Sequence, residues 1–429
     1  MDHVRTPSAS RRAVLGAGAL IAAAPTAGRA ADPTAEAEAK RIVERFQTFG
    51  DKASGGPGDI ASGEWLEGEL KALGYATARQ GFDVPAYDGT AELTSGSTRT
   101  QVIPQAILTP TPPAGVTGPI YLAGAGKGPG IALVVLPHAR WSTMVGQVER
   151  RVAATFSAGA SAAVIVTTGP TAEACALNTP VGRRLFDRPV VVLAPKDAEP
   201  FLQAAGRGEM ATLSIPGRSF RRPAFNVTAR LDRGAARTLV LSTPRSGWFG
   251  CAGERGTGLA AWLLLAQWAS RAGLPVNLAL VATSGHEYEY AGGERFIAEL
   301  APKPKDTALW VHLGANVAAR DWHERGPVLA PLPSADPQRF LLASPPLVAA
   351  AKAAFAGQPG LEQPYAADPA QVAGELASIL KGGYDPLVGI FGSHRFHHTR
   401  ADDLRCVSPA LIPPVTEAMA KLIMAALKT

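Results

Sequence analysis

After Pro223 the chain alternates short apolar strand-like runs with helical stretches, and no other feature restricts the fold as much. Residues 225–231, 238–244, 278–285 and 308–315 are dense in aliphatic and β-branched side chains, whereas 254–272 and 408–427 carry apolar residues at helical spacing. This order predicts an α/β fold, a mostly parallel mixed sheet flanked by helices. Ligands of such sheets bind in the crevice beyond the carboxyl ends of the strands. Upstream, helical spacing over 36–46 and 60–73, the latter stopped by Gly74, precedes a strand-like alternation over 81–94.

At 429 residues the chain exceeds the ~250–300 at which a single core stops growing, so two domains are expected. The runs 118–124, 130–137, 161–169 and 188–195 are short and β-rich, with one helical stretch at 146–160. The expected organisation is an N-terminal segment 1–30, a first part of the main domain 31–115, an inserted β-rich domain 116–217, and a second part 218–429. Residues 1–30 join Arg11-Arg12 to a short Ala/Gly/Leu-rich run and small residues ending at Ala30, the pattern of a twin-arginine export signal. A periplasmic or secreted protein is expected. Four arginines against Asp2 give that segment +3 of the formal +6, which leaves the rest near +3 without a Lys/Arg block. No nucleic-acid partner is expected from such a surface. No apolar run reaches the ~18–20 residues that would span a membrane. Cys175, Cys251 and Cys406 are odd in number and far apart, so buried thiols are expected.

Polar and aromatic residues gather where the strands end. Arg245 and Trp248 follow 238–244, and Glu254 sits in a glycine-punctuated run that opens a helix, where backbone N–H groups attract anions. His286, Glu287, Tyr288 and Tyr290 follow 278–285, His312 and Asn316 close 308–315, and His398 and Asp402 lie in the loop from 394. Strand ends of one sheet edge converge on one crevice, which makes these residues a candidate site.

Their order resembles the di-zinc exopeptidases of metallopeptidase family twenty-eight, which include bacterial aminopeptidases and relatives of glutaminyl cyclase. The resemblance runs from about residue 36 to the C-terminus, through Phe49-Gly50, Trp65 to Tyr75, Asn226 to Leu231 and Thr257 to Ala261. The inserted segment resembles a protease-associated domain in Gly130 to Val134, Ala158 to Ile165, Pro189 to Val192 and Lys196-Asp197-Ala198. The resemblance implies two zinc ions held by a His, a bridging Asp, a Glu, a second Asp and a last His, with a glutamate base before the ligand Glu. Matched in order, the ligand positions fall on Thr243, Glu254, Glu287, Gly314 and His398, and the base on His286; Arg245 stands where a supporting Asp is implied. Glu287 and His398 are retained, Glu254 is a conservative exchange, and two donors are missing. Each zinc needs about four donors, so a di-zinc centre is not expected.

What remains is compatible with one zinc ion or with none. Glu287, His398 and Glu254 would hold a single ion, with His312 as a further donor because it shares a strand face with Gly314. Asp402 is expected to orient the imidazole of His398. His286 would act as general base beside the carboxylates of Glu287 and Glu254, while Arg245, Trp248, Tyr288 and Asn316 would bind substrate, Arg245 through a carboxylate. Without metal, Arg245 is expected to pair with Glu254 or Glu287, and a carboxylate beside His286 to favour imidazolium. The expected function is an exported peptidase-like hydrolase acting on an amide bond of a small peptide or acyl amino acid. The alternatives are an inactive homologue kept as a binding module, and a metal-free lyase or cyclase using His286 and Glu254.

Overall fold

The structure is a computed structural model that describes residues 33–428 apart from 105–107, 138–144, 169–170, 327, 369–371 and 373. The export segment expected over 1–30 lies outside the described residues. Four parallel strands form the middle of an eight-stranded sheet, in the order Asn277–Thr283, Thr238–Pro244, Thr307–Leu313, Leu387–Gly392. On one side Arg218–Leu231 runs antiparallel and pairs in turn with Ala76–Asp88; on the other, Arg339–Ala343 is antiparallel and Tyr365–Ala366 ends the sheet. The expected mixed α/β sheet is present.

Both faces of the central strands are covered, which is why they read as continuous apolar runs rather than as an alternation. Leu239 and Leu241 join the core beneath the helices Pro33–Thr48, Pro57–Ala72, Thr257–Arg271 and Ile412–Ala426. Val240 and Trp310 point the other way, into a smaller core with Phe296 and Ile379 from the helices Ala291–Glu299 and Glu375–Lys381. Helix Pro57–Ala72 lies so close to the sheet that a Cβ on Gly63 would come within 2.8 Å of the Phe225 ring and 3.0 Å of Arg245 Cζ. Gly63→Ala is therefore expected to cost roughly 1–3 kcal/mol by overpacking. A lower urea midpoint with an unchanged m-value would register it.

A closed barrel stands apart from the sheet, in the strand order Ala91–Ser95, Thr98–Pro104, Val190–Leu193, Ala162–Thr168, Ile131–Pro137, Val116–Leu122, Met210–Ser214. Its first two strands lie upstream of residue 116, where the sequence places the start of the insertion. They are needed because Met210–Ser214 pairs with both Ala91–Ser95 and Val116–Leu122, and only that double pairing closes the ring. The chain leaves for the barrel at Asp88 and returns at Arg218, two residues that face each other at the end of an antiparallel ribbon running back to Ala76 opposite Arg230. All three cysteines are free thiols. Among the described residues, no helix is long and apolar enough to cross a membrane.

Candidate functional site

The loops after the four parallel strands close over a cavity of about 500 Å³. Its wall includes Arg255, His286, Tyr288, His312, Glu375, His397 and His398. The polar residues that the sequence scatters over more than a hundred positions thus meet at the carboxyl edge of the sheet, as such sheets require.

His286 lies in the loop after the strand Asn277–Thr283, past Ser284 and Gly285, and its Nδ1 lies 3.2 Å from Oε1 of Glu375, the first residue of helix Glu375–Lys381. The same oxygen accepts the Thr283 hydroxyl at 2.8 Å. Burial pushes His286 well below the ordinary imidazole value, and the Arg255 charge adds to this; burial raises Glu375. The imidazole is therefore neutral, not the imidazolium expected from a nearby carboxylate, because desolvation outweighs the pairing. With Nδ1–H donated to Glu375, the lone pair is on Nε2. Glu375 has no motif in the sequence, and only the fold brings it here.

Glu254 lies in a π-type turn, Ala252–Gly256, in which the Gly256 amide donates to the Cys251 carbonyl at 3.2 Å. Its Oε1 is 2.7 Å from Arg255 Nη2, 3.2 Å from His398 Nε2 and 3.9 Å from His397 Nε2. Burial alone would raise Glu254, but the Arg255 guanidinium, followed by the two imidazoles, holds it well below the usual carboxylate range. Arg255 is 1% exposed, its Nε donates to the Ser246 carbonyl at 3.0 Å, and its Nη1 has no hydrogen-bond partner. The sequence carries a signal for this residue, an arginine beside Glu254 with glycines on either side of the pair.

Several expected roles change. Arg245 is fully buried, pairs with Asp59 at 3.2 Å and donates to the Ala282 carbonyl at 2.9 Å; it is absent from the cavity wall. Its neighbours are structural, so it meets neither a substrate carboxylate nor Glu254 or Glu287. Asn316 is also fully buried, bonding the Ser393 carbonyl at 2.7 Å in a left-handed conformation with φ 52°, and it clamps loops rather than touching ligand. Asp402 does not orient His398. It accepts the amides of Gly253 and Glu254 at 2.7 and 3.0 Å and faces His394 Nε2 at 3.1 Å. Burial would lower His394, but the Asp402 carboxylate prevails and raises it. Tyr288 does line the cavity, and Trp248 reaches it indirectly by donating its indole N–H to Asn178 in the wall at 2.9 Å.

What orients His398 is the barrel. Its Nδ1 donates to the Ala176 carbonyl at 2.9 Å, and the Ala176 amide donates back to the His398 carbonyl at 2.9 Å. The Thr179 amide bonds the Glu287 carbonyl at 2.8 Å, and Pro180 and Val181 complete that side of the wall. These residues come from the connection between barrel strands Ala162–Thr168 and Val190–Leu193.

Glu287 stands outside the donor cluster, with Oε2 accepting hydroxyls from Ser54 and Ser246 and Oε1 unpartnered. Burial raises its carboxyl from 4.5 to about 7. Over roughly pH 4.5 to 7 the folded state keeps a proton that the unfolded chain has lost, so Glu287 stabilises the fold in acid, and the contribution disappears as pH rises through about 7. At about 1.4 kcal/mol per unit the loss is roughly 3 kcal/mol. Relative to Glu287→Gln, which cannot ionise, the wild type is expected to lose that amount of unfolding free energy between about pH 4 and about pH 8.

Glu254, His397 and His398 place one potential metal-ligand atom each within 4.8 Å of one another. As arranged, the set does not fit zinc. The two imidazoles stack at 4.2 Å with planes 15° apart, so their in-plane lone pairs run side by side instead of converging on an ion about 2.0–2.1 Å from each nitrogen. The carboxylate oxygen they share lies 2.7 Å from Arg255 Nη2 as an ion pair, while neither Glu254 oxygen has a hydrogen-bond partner. His312 is not in this cluster either: its Nδ1 bonds Ser242 Oγ at 2.9 Å, and burial pushes it down to about 4.

No family model matches the chain, and no curated protein sequence matches it. Among solved structures it is similar to a zinc aminopeptidase from Bacillus subtilis, with a TM-score of 0.70 and 15% identity, covering 91% of this chain and 94% of that one. A peptidase M28 precursor from Shewanella amazonensis gives a TM-score of 0.68 and 16% identity over 92% and 96% of the two chains. An aminopeptidase from an Aneurinibacillus strain gives 0.64 and 16% over 91% and 93%. At such identities the likeness shows the fold: this chain has the α/β fold of the zinc aminopeptidases and M28 peptidases.

Proposed function

We propose that this chain, built on the zinc-aminopeptidase fold, is an exported peptidase-like hydrolase that cleaves an amide bond of a small peptide or acyl amino acid. The carrying observation is the Glu375–His286 pair in the wall of a cavity of about 500 Å³, a volume within the usual range of small-molecule sites. A neutral imidazole braced by a carboxylate is a general base. His286 Nε2 takes a proton from water as the water oxygen bonds to the amide carbon, and returns it to the nitrogen as the C–N bond breaks. Tyr288, Val181 and Phe391 give the substrate an apolar wall, with Asn178 and Ser393 as polar groups to fix its orientation.

Export rests on Arg11-Arg12 and the short apolar run that follows. The barrel is read as a protease-associated domain; the 91% coverage by the Bacillus subtilis structure supports a counterpart there, since residues 91–214 could not all lie in the uncovered part. The test is a panel of aminoacyl and N-acyl amino-acid amides offered to the purified chain. Turnover of at least one is expected. A folded protein that is stabilised by members of the panel and turns over none would be a binding module instead.

A further inference from the structure

We propose that the Arg255 guanidinium occupies the place of a metal ion in this site and supplies the positive charge of the reaction, so that the protein works without zinc. The catalytic half of this proposal rests on the hydrolase reading; the refusal of metal does not.

Three observations place the charge. Arg255 Nη2 sits 2.7 Å from the same Glu254 oxygen that His398 and His397 face, which puts a guanidinium at the meeting point of the donor cluster. The Ser246 carbonyl holds Nε at 3.0 Å and fixes the fork from behind. The remaining edge, Nη1, is a buried donor without a partner on a residue that lines the cavity. A buried donor left unpaired is costly, and the oxygen of a ligand bound in the adjoining cavity is the partner we assign to it. A guanidinium is a fixed positive charge with donors in a rigid plane, suited to an oxygen that gains charge.

In the hydrolytic step the water oxygen bonds to the amide carbon and the C=O π pair moves onto the carbonyl oxygen. Arg255 Nη1–H donates to that oxyanion while His286 holds the proton taken from water. As the pair returns, the C–N bond breaks and the nitrogen leaves with the His286 proton. Arg255 is unchanged, and no metal, oxidant or further reactant enters the balance. Glu254 keeps the guanidinium in place and does not itself act on substrate.

The experiment uses the full chain and two variants, Arg255→Ala and Arg255→Lys, with zinc titration calorimetry, metal analysis and, where a substrate is known, turnover before and after chelator dialysis. The wild type is expected to hold no zinc and to keep its activity through dialysis. Arg255→Ala frees Glu254 and empties the space into which the stacked imidazoles can turn towards an ion, so it is expected to bind zinc at least about tenfold more tightly than wild type, while turnover falls by roughly 100-fold or more and recovers in part with added methylguanidine. Arg255→Lys keeps the charge, so it should refuse zinc as the wild type does, and it serves if the alanine variant does not fold. A wild type that holds about one zinc per chain, a chelator that silences it, or a lysine variant that takes up zinc would overturn the proposal. So would equal zinc affinity in wild type and Arg255→Ala. If no substrate is found, the hydrolase reading fails by itself, and the zinc titrations still decide where the charge sits.

Discussion

His286→Ala is expected to lower kcat/KM by roughly 10²–10⁴, the usual contribution of a positioned general base. Circular dichroism should be unchanged, because the strand that precedes His286 and the helix that carries Glu375 are held by their own cores. Glu375→Gln should lower kcat with little change in KM: the amide still accepts the Thr283 hydroxyl but holds no charge against Nδ1–H. The pH profile gives an independent reading. Burial and the Arg255 charge keep the imidazole neutral well below its ordinary 6.5, so activity should persist through about pH 6 and fall only in stronger acid, as the base takes up its proton. A profile that collapses near the ordinary imidazole value, or an alanine variant as active as wild type, would remove His286 from the reaction.

Asp59→Ala carries the largest expected effect on stability, about 3–5 kcal/mol, because it strands Arg245 as an uncompensated charge in a dry core. Both side chains are 0% exposed and 3.2 Å apart. Asp59 also accepts the Gly55 amide at 2.8 Å and the Ser284 hydroxyl at 2.6 Å, so the substitution orphans donors on two further segments. Urea unfolding measures the loss. The double variant Asp59→Ala/Arg245→Met should recover part of it, since two apolar groups replace a desolvated pair. A cost below about 1 kcal/mol for the single change would mean that the pair is solvated.

The central strands and the long helices were legible in the sequence because burial on both faces of a strand, or along one side of a helix, leaves a direct mark on composition. Residues 225–231, 238–244, 278–285 and 308–315 all fall in or on the ends of strands. The barrel was legible only in part. The hairpin 91–104 is polar enough on its outer face to read as more of the preceding alternation, and closure of a ring is a long-range fact that no local pattern encodes. In the site, Glu254, His286 and His398 could be named from their strand-end positions. Glu375 could not, because it enters from a short helix without a motif, and Arg255 is marked in the sequence only by adjoining Glu254. The choice between Arg245 and Arg255 depended on which side of a loop each guanidinium takes. Sequence spacing carries no such information, whereas two buried partners, Asp59 and Glu254, settle it in space.

The ribbon that joins Ala76–Asp88 to Arg218–Leu231 also bears on how the molecule comes together. Until the barrel forms, pairing Asp88 with Arg218 means closing a flexible loop of all the intervening chain, an entropic cost that grows with loop length. A barrel already collapsed on its own cores brings those two ends side by side and removes most of that cost. The order of assembly expected from this is barrel first, then ribbon and sheet, and last the docking of Ala176 onto His398, so a chain weakened in the barrel is expected to mature slowly even when every residue around the cavity is intact.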